Sequence, residues 1–313
     1  VQTNHKISGF QSLARRKIKS AVWQIDQQLF DVNKQIELLL LVSPVNGNHA
    51  WKTFKKNKYR KMPVFHYRMM PEDPELLKRS LYNIRIEDID DPTLGFLFRE
   101  KRTEIDKLLI MLNERESADF FYGSLQIFGS VSHRLLSTAE DILKKFPVDD
   151  GHNDSPDNYY RADEFARLAR KELLQLQKQY QHIHTDVRIK DSINNMMVDK
   201  GILNIPARTK IRKDKAEALI QHEIGTHVLT YCNGQSQPLK LLCSGVPGYE
   251  ELQEGIAVLA EYLSGGLDEK RMQILAARVI AVNSLIEHYD FIQTFELLTD
   301  RYRFKPKHAF FIT

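Results

Sequence analysis

His222 and His227 stand five residues apart inside a stretch, 214–231, whose apolar residues recur at helical intervals. On a regular α-helix, at about 100° per residue, positions four apart lie about 40° apart around the axis, and positions five apart about 140°. Two imidazoles displaced by the larger angle do not converge on one point. A local widening to i→i+5 hydrogen bonding restores the alignment, and Gly225 inside the interval tolerates the altered backbone. The spacing therefore predicts a π-bulge at Gly225 and Thr226.

The segment itself reads His222-Glu223-Ile224-Gly225-Thr226-His227. A hydrolytic zinc site needs neutral imidazoles, a third ligand that is often a carboxylate, and an open position for water. It also needs a base beside that water, and a Glu next to the first His supplies one. The third ligand is expected from the next helix, 249–263, where Glu250, Glu254 and Glu261 compete. Glu250 and Glu254 share a face at i, i+4, and Glu261 lies two turns beyond Glu254 on that face. Gly255 and Ala257 flank Glu254 closely, and their small size favours a near approach to the metal helix. Glu250 or Glu261 is then available to support an imidazole from behind. Taken alone, the hexapeptide also fits a helix with a buried, satisfied His and a solvated Glu. The Glu-bearing helix that follows favours the metal.

With 313 residues the chain can bury one large core or two ordinary ones. Its 42% hydrophobic and 27% charged residues are those of a soluble globular protein. No stretch approaches the roughly 18 apolar residues of a membrane span, and no apolar run is longer than that at 38–42. No secretory leader is evident, and the chain opens on Val1, in keeping with a trimmed start. Two cysteines, Cys232 and Cys243, imply no disulfide framework, so a reducing, cytoplasmic setting is expected. The net charge of +4 is mild and compatible with an acidic partner without demanding one.

Along the chain, helices are expected over 20–41, 103–115, 137–145 and 160–180, with a loop rich in Asp, Asn, Gly, Ser and Pro over 147–158. Strand patterns follow at 185–190, 196–198 and 202–205, with a turn at Asp199-Lys200-Gly201, which gives a small sheet containing a hairpin. Asp214 and Glu217 form a capping-box pattern for the metal helix, which should stop at Asn233-Gly234. Two or three helices are expected from Asp268 onward. The class is α+β, mostly helical, with an N-terminal helical region 1–146 and a second region 159–313 packed as one unit. Aromatics and cations interleave over 51–61, a pattern read as a solvated surface anchored by its rings rather than a nucleic-acid site. No nucleic acid and no membrane are expected as partners. His66, His133, His182, His184 and His288 are read as structural or surface residues, and Cys232 has no thiolate-ligand spacing around it.

Gln221-His222-Glu223-Ile224-Gly225-Thr226-His227 followed by Gln253-Glu254-Gly255-Ile256-Ala257 resembles the QEGLA-motif proteins. Bacterial members of that family are labelled flavohemoglobin expression modulators. Animal relatives include the microtubule-associated tyrosine carboxypeptidases, which remove the C-terminal Tyr of α-tubulin. The similarity takes in 228–231, 233–234, 237–238 and 257–263, with weaker matches over 113–143. Ile256 stands where many relatives have Leu, and relatives continue past the position of Thr313 into a Gly-rich segment. The resemblance implies a zincin-like core and a zinc metallopeptidase, a carboxypeptidase acting on the C-terminus of a peptide or protein. It makes His222, His227 and Glu254 the Zn2+ ligands and Glu223 the base. The substrate does not carry over.

A carboxypeptidase must also hold a terminal carboxylate, for which Arg208, Lys210 and Arg212, between the hairpin and the metal helix, are the expected cations. The strand 202–205 is expected as an edge on which an extended substrate could pair. Tyr231, Tyr249 and Tyr262 are the candidate donors to an oxyanion. The alternative is a regulatory or binding protein that keeps the metal as a structural element. Glu223 argues against it, because a purely structural site has no use for that base.

Overall fold

Apolar residues at three- and four-residue intervals make the first 145 residues helical. The computed structural model, which describes residues 18–148, 156–180 and 183–313, places α1 (Ser20–Asn33), α2 (Leu38–Val42), α3 (Gly47–Lys56), α4 (Pro74–Tyr82), α5 (Pro92–Asn113), α6 (Asp119–Phe128) and α7 (His133–Lys145) there. The single helix expected over 20–41 is broken. Gln35 and Ile36 close i→i−3 bonds to Val32 and Asn33, and this tighter turn ends α1 before α2 begins. The helix expected from 103 starts at Pro92 instead, because the Asp91 carboxylate accepts the N–H groups of Thr93 and Leu94 while Pro fills the first helical position. Ser132 caps α7 in the same manner. Part of the loop expected over 147–158, residues 149–155, lies outside the described residues, as does His182.

The second part carries the strands. β1 (Tyr159–Arg161) leads into α8 (Ala162–Gln179), and β2 (Val187–Lys190), β3 (Met197–Asp199), β4 (Ile202–Pro206) and β5 (Lys210–Arg212) follow. β3 and β4 form the expected hairpin, closed by Lys200 (φ 49°) and Gly201 (φ 78°), both with the positive φ of a type I′ turn. β2 then pairs parallel to the other side of β4, giving the order β2-β4-β3. The strand expected as a free edge is therefore the centre of its sheet, with both rows of backbone groups taken. β1 and β5 make a separate two-stranded antiparallel pair that the sequence pattern did not reveal.

From there the chain is helical again. α9 (Ala216–His222), a π segment (Glu223–Val228) and α10 (Leu229–Gln235) run on as one continuous helix. The capping box does not form: Asp214 receives the Arg212 guanidinium at 2.8 Å, and the turn before α9 is a 3-10 helix without a side-chain cap. The helix ends at Gln235, one residue past the expected stop, though Gly234 does not cap it with a positive φ. Gly234 is buried within α10, where a Cβ would overlap the carbonyl of Leu242 in α11 (Leu241–Ser244). α12 (Tyr249–Leu263), α13 (Glu269–Ile286), α14 (Phe291–Glu296), a second π segment (Leu297–Arg301) and α15 (Pro306–Ile312) complete the fold.

Three buried clusters hold these elements. One joins α8 (Phe165, Ala169), the sheet (Leu203, Ile205) and the helix from α9 into the π segment (Ile220, Ile224, Val228). A second gathers α1, α4 and α5 with Leu241 of α11. The third joins α3 and α7 to α13, α14 and α15 around Phe54, Phe295 and Phe310. The aromatics of 51–61 belong to this third core: Trp51 lies 5.3 Å from Phe310, and Tyr59 lies 5.1 Å from Phe295, while Lys52, Lys55, Lys56 and Lys58 face solvent. His66, His133, His184 and His288 are exposed. No helix among the described residues is long and apolar enough to cross a membrane.

Candidate metal centre

The five-residue histidine spacing is accommodated by the π segment Glu223–Val228, which contains Gly225 and Thr226 as expected. Thr226 donates its hydroxyl to the carbonyl of Gln221 at 3.2 Å, which occupies an acceptor that the widened turn would otherwise leave idle. The β3–β4 hairpin and α8 pack on one side of this segment, and α12 packs on the other. Gly201 allows the hairpin to sit against the ring of Tyr231, where any Cβ would collide.

With the helix so widened, Nε2 of His222 and Nε2 of His227 face each other at 3.2 Å. Glu254 of α12 brings Oε1 to 3.6 Å from the same atom of His227, and ligand atoms of all three residues lie within 4.8 Å of one another. Two nitrogen lone pairs that meet head-on repel unless a proton or a cation lies between them. A tetrahedral ion with Zn–N bonds of about 2.0–2.1 Å would separate its two nitrogen ligands by about 3.3 Å, so the spacing fits such an ion. Of the three competing carboxylates, Glu254 is the one in this cluster. Gly255 does not mediate the approach of α12, since it faces solvent with open space around it. Fully buried Ala257 does so, helped by Gly266, whose missing Cβ leaves room for Ala218 of α9.

Behind the cluster, Nδ1 of His222 lies 2.7 Å from Oε1 of Glu261. The contact is short but the ring N–H is not well aligned with the oxygen, so Nδ1 counts among the buried polar atoms without a well-formed hydrogen bond. The pull on Nδ1 leaves Nε2 as the free lone pair. Glu261 is in turn gripped by Arg271 of α13, with Nε on Oε2 and Nη2 on Oε1, both at 2.8 Å. Burial pushes the Glu261 pKa up, but the close contacts with His222 and Arg271 outweigh it and bring the pKa down to about 2. The carboxylate is a permanent anion. Arg271 was not legible as a site residue, because its contact crosses the turn between two helices. The only signal was its place near the start of the helix after Glu261.

Electrostatics separate the remaining roles. Burial opposes a charge on His222, yet the close Glu261 contact and the carboxylates of Glu223, Glu261 and Glu254 raise its pKa overall. Burial lowers that of His227, against the field of Glu254, so this ring is neutral and ready to act as a ligand near pH 7. Glu223 is only 8% exposed, and its burial raises its pKa to about 7. A carboxylate poised there can both take and release a proton at neutral pH.

The three cations expected to bind a carboxylate lie in and just before β5. Arg212 is held by Asp214, and Arg208 and Lys210 are exposed around β5. Among the tyrosines, the Tyr231 ring lies against Gly201, Tyr262 is 62% exposed, and Tyr249 lies in the field of Glu254 with a pKa that burial pushes up to about 12. The loop entering α12 is fixed from α5, where Glu104 accepts the N–H of Gly248 at 3.2 Å and buried Lys101 pairs with Glu104 and reaches the Ser244 carbonyl.

Fold and cluster together define a mostly helical α+β protein with two imidazoles and a carboxylate on adjoining helices, a donor set able to hold a divalent cation. The family model described as microtubule-associated tyrosine carboxypeptidase matches residues 52–313, and the chain belongs to that family. The description makes the family one of carboxypeptidases. No curated protein matches the chain.

Proposed function

We propose that the chain is a zinc metallopeptidase with a zincin-like core, a carboxypeptidase that removes residues from the C-terminus of a peptide or protein. The observation that carries this reading is the facing pair of Nε2 atoms at 3.2 Å, with buried Glu223 next to them in the chain. His222, His227 and Glu254 would hold the ion, and Glu261 with Arg271 would fix the His222 ring behind it. A zinc ion held there would supply Lewis acidity, which lowers the pKa of bound water towards about 7 and polarises a scissile carbonyl.

The chain's own groups account for the proton traffic. Glu223 takes a proton from the attacking water as its oxygen bonds to the carbonyl carbon. When the C–N bond breaks, the same carboxyl passes that proton to the leaving amine. A pKa of about 7 suits both halves of the exchange. Tyr249, whose hydroxyl stays protonated, is the donor we assign to the developing oxyanion.

The test is elemental analysis of the purified chain with His222→Ala and Glu223→Gln beside it, followed by peptide hydrolysis. We expect close to one zinc per chain, lost in His222→Ala and kept in Glu223→Gln, with hydrolysis abolished in both. A chain that takes up no zinc when it is supplied refutes the reading. A chain that binds zinc but cleaves no peptide, whatever its C-terminus, points instead to a regulatory protein with a structural metal.

A further inference from the structure

The face that α9 turns towards α12 begins one residue before the helix itself. Lys215, Ala218 and His222 stand at i, i+3 and i+7, and seven residues bring a helix back to within about 20° of its starting direction. At one end of this face His222 meets Glu261, with Nδ1 2.7 Å from the carboxylate. In the middle, Ala218 fills the room that Gly266 leaves. At the other end, Nζ of Lys215 donates to the Gly266 carbonyl at 3.0 Å and pairs with Asp268 at 2.5 Å. Three residues on one helix face thus touch a single stretch of chain, 261–268.

That stretch is the end of α12 and the turn into α13, and Asp268 has two uses in it. Its Oδ1 accepts the backbone N–H of Arg271 at 2.9 Å and caps α13, while its Oδ2 takes the Lys215 ammonium. Burial would raise the Asp268 pKa, but Lys215 and the Arg271 N–H hold it below the usual carboxylate range. From the capped turn, Arg271 reaches back with its guanidinium to both oxygens of Glu261. The contacts close a ring. They run from Lys215 to Asp268, Arg271, Glu261 and His222 in turn, and two turns of helix lead back from His222 to Lys215. The Lys215 side chain is only 25% exposed, so this ion pair is sheltered from the water that weakens surface pairs.

A closed ring fixes distances that its members could not fix singly. Without Lys215 the turn 264–268 would be freer to slide along α9, and Arg271 and Glu261 would move with it. We infer that Lys215 is a positioning residue of the proposed metal centre: it pins the α12–α13 turn to the helix that carries the histidines and thereby sets Glu261 against His222. The inference rests on the reading of His222, His227 and Glu254 as metal ligands. Lys215 stands two turns, about 10 Å along the axis, from His222, so its effect on the metal passes through Arg271 and Glu261.

The first measurement is the dissociation constant for zinc, by chelator competition, on the full chain, Lys215→Met, Glu261→Gln and the double variant. Lys215→Met should weaken binding by about tenfold, the lower end of what groups behind a metal ligand contribute. On top of Glu261→Gln it should add less than about twofold, because the carboxylate that it positions has already lost its charge. A lysine that merely stabilised the fold would leave the affinity of the folded chain alone, or lower it equally in both backgrounds. If circular dichroism shows Lys215→Met to be unfolded, Asp268→Asn takes its place. It keeps an oxygen for the Arg271 N–H and removes the charge that faces Lys215.

The second measurement needs no metal. The Nε–H of Arg271, held against Glu261, exchanges its proton with water slowly, and NMR of the metal-free chain reads the rate, with Arg271→Lys assigning the resonance. Lys215→Met should speed that exchange by about tenfold. Unchanged zinc affinity in Lys215→Met, a loss that recurs in full on top of Glu261→Gln, or an unchanged Arg271 exchange rate would each overturn the assignment. The two readings fail separately. A chain that takes up no zinc refutes the metallopeptidase, and the Arg271 exchange rate then decides whether Lys215 still holds the Glu261 contact in place.

Discussion

At the residue scale the site is a relay of fixed charges: Arg271 grips both oxygens of Glu261, and one of those oxygens faces the ring of His222. Groups behind a metal ligand set its tautomer and basicity, and losing one costs about 10–100-fold in metal affinity. Glu261→Gln keeps the shape and removes the charge. We therefore expect it to weaken zinc binding by about 10–100-fold in a chelator competition while the fold is retained; an unchanged affinity would mean that Glu261 only packs. The histidines, Glu223 and the carboxylates of α12 could be read in the sequence because their chemistry lies in short helical intervals. Which carboxylate met the ligand cluster and which stood behind His222 could not be. That choice depends on how α12 rotates against the helix that carries the histidines, and the rotation is set by Ala257 and Gly266 rather than by Gly255.

At the scale of elements, two glycines in the same region should respond in opposite senses. Gly266 leaves room for Ala218 to approach, and a Cβ there would overlap the Cβ of Ala218. Gly266→Ala should destabilise the metal-free protein by about 1–3 kcal/mol, the usual cost of overpacking. Gly255 lies inside α12 with open space around it, so Gly255→Ala should stabilise it by about 0.5–1 kcal/mol through helix propensity. Urea unfolding in the presence of chelator reads both, and the same sign for the two would contradict the packing described.

The π segment and the β3–β4 hairpin were legible because each is written in consecutive residues: a five-residue spacing around a glycine, and two apolar runs joined by Lys200-Gly201. The β1–β5 pair was not, since its strands are about fifty residues apart and each is only three long. The expected capping box failed for a local reason. The Asp214 carboxylate took the charged guanidinium two residues before it in place of a backbone N–H.

At the scale of the whole molecule, the boundary between 1–146 and 159–313 does not coincide with a gap in packing. Phe54 of α3 is completely buried against Phe291, Phe295 and Phe310, all more than two hundred residues further along the chain. Phe54→Ala should cost about 3–5 kcal/mol and lower the midpoint of the whole unfolding transition, although it touches no residue of the metal cluster. If only a minor, separate transition moved while the midpoint of the rest stayed in place, the third core would be an independent folding unit. The sequence showed aromatics among the lysines of 51–61 but not their partners. Pairing rings across such a separation leaves no periodic trace.

That long-range core also bears on how the protein is made. A ribosome releases the chain from its N-terminus, and the core around Phe165, Leu203 and Ile224 has all its members once residue 232 has emerged. The cluster around Phe54 has to wait for Phe310. Trp51, Phe54 and Tyr59 thus spend most of synthesis without the surface that will cover them, flanked by Lys52, Lys55, Lys56 and Lys58. Charged residues beside an apolar segment oppose its association while it is uncovered, and these four lysines hold that position around the three rings.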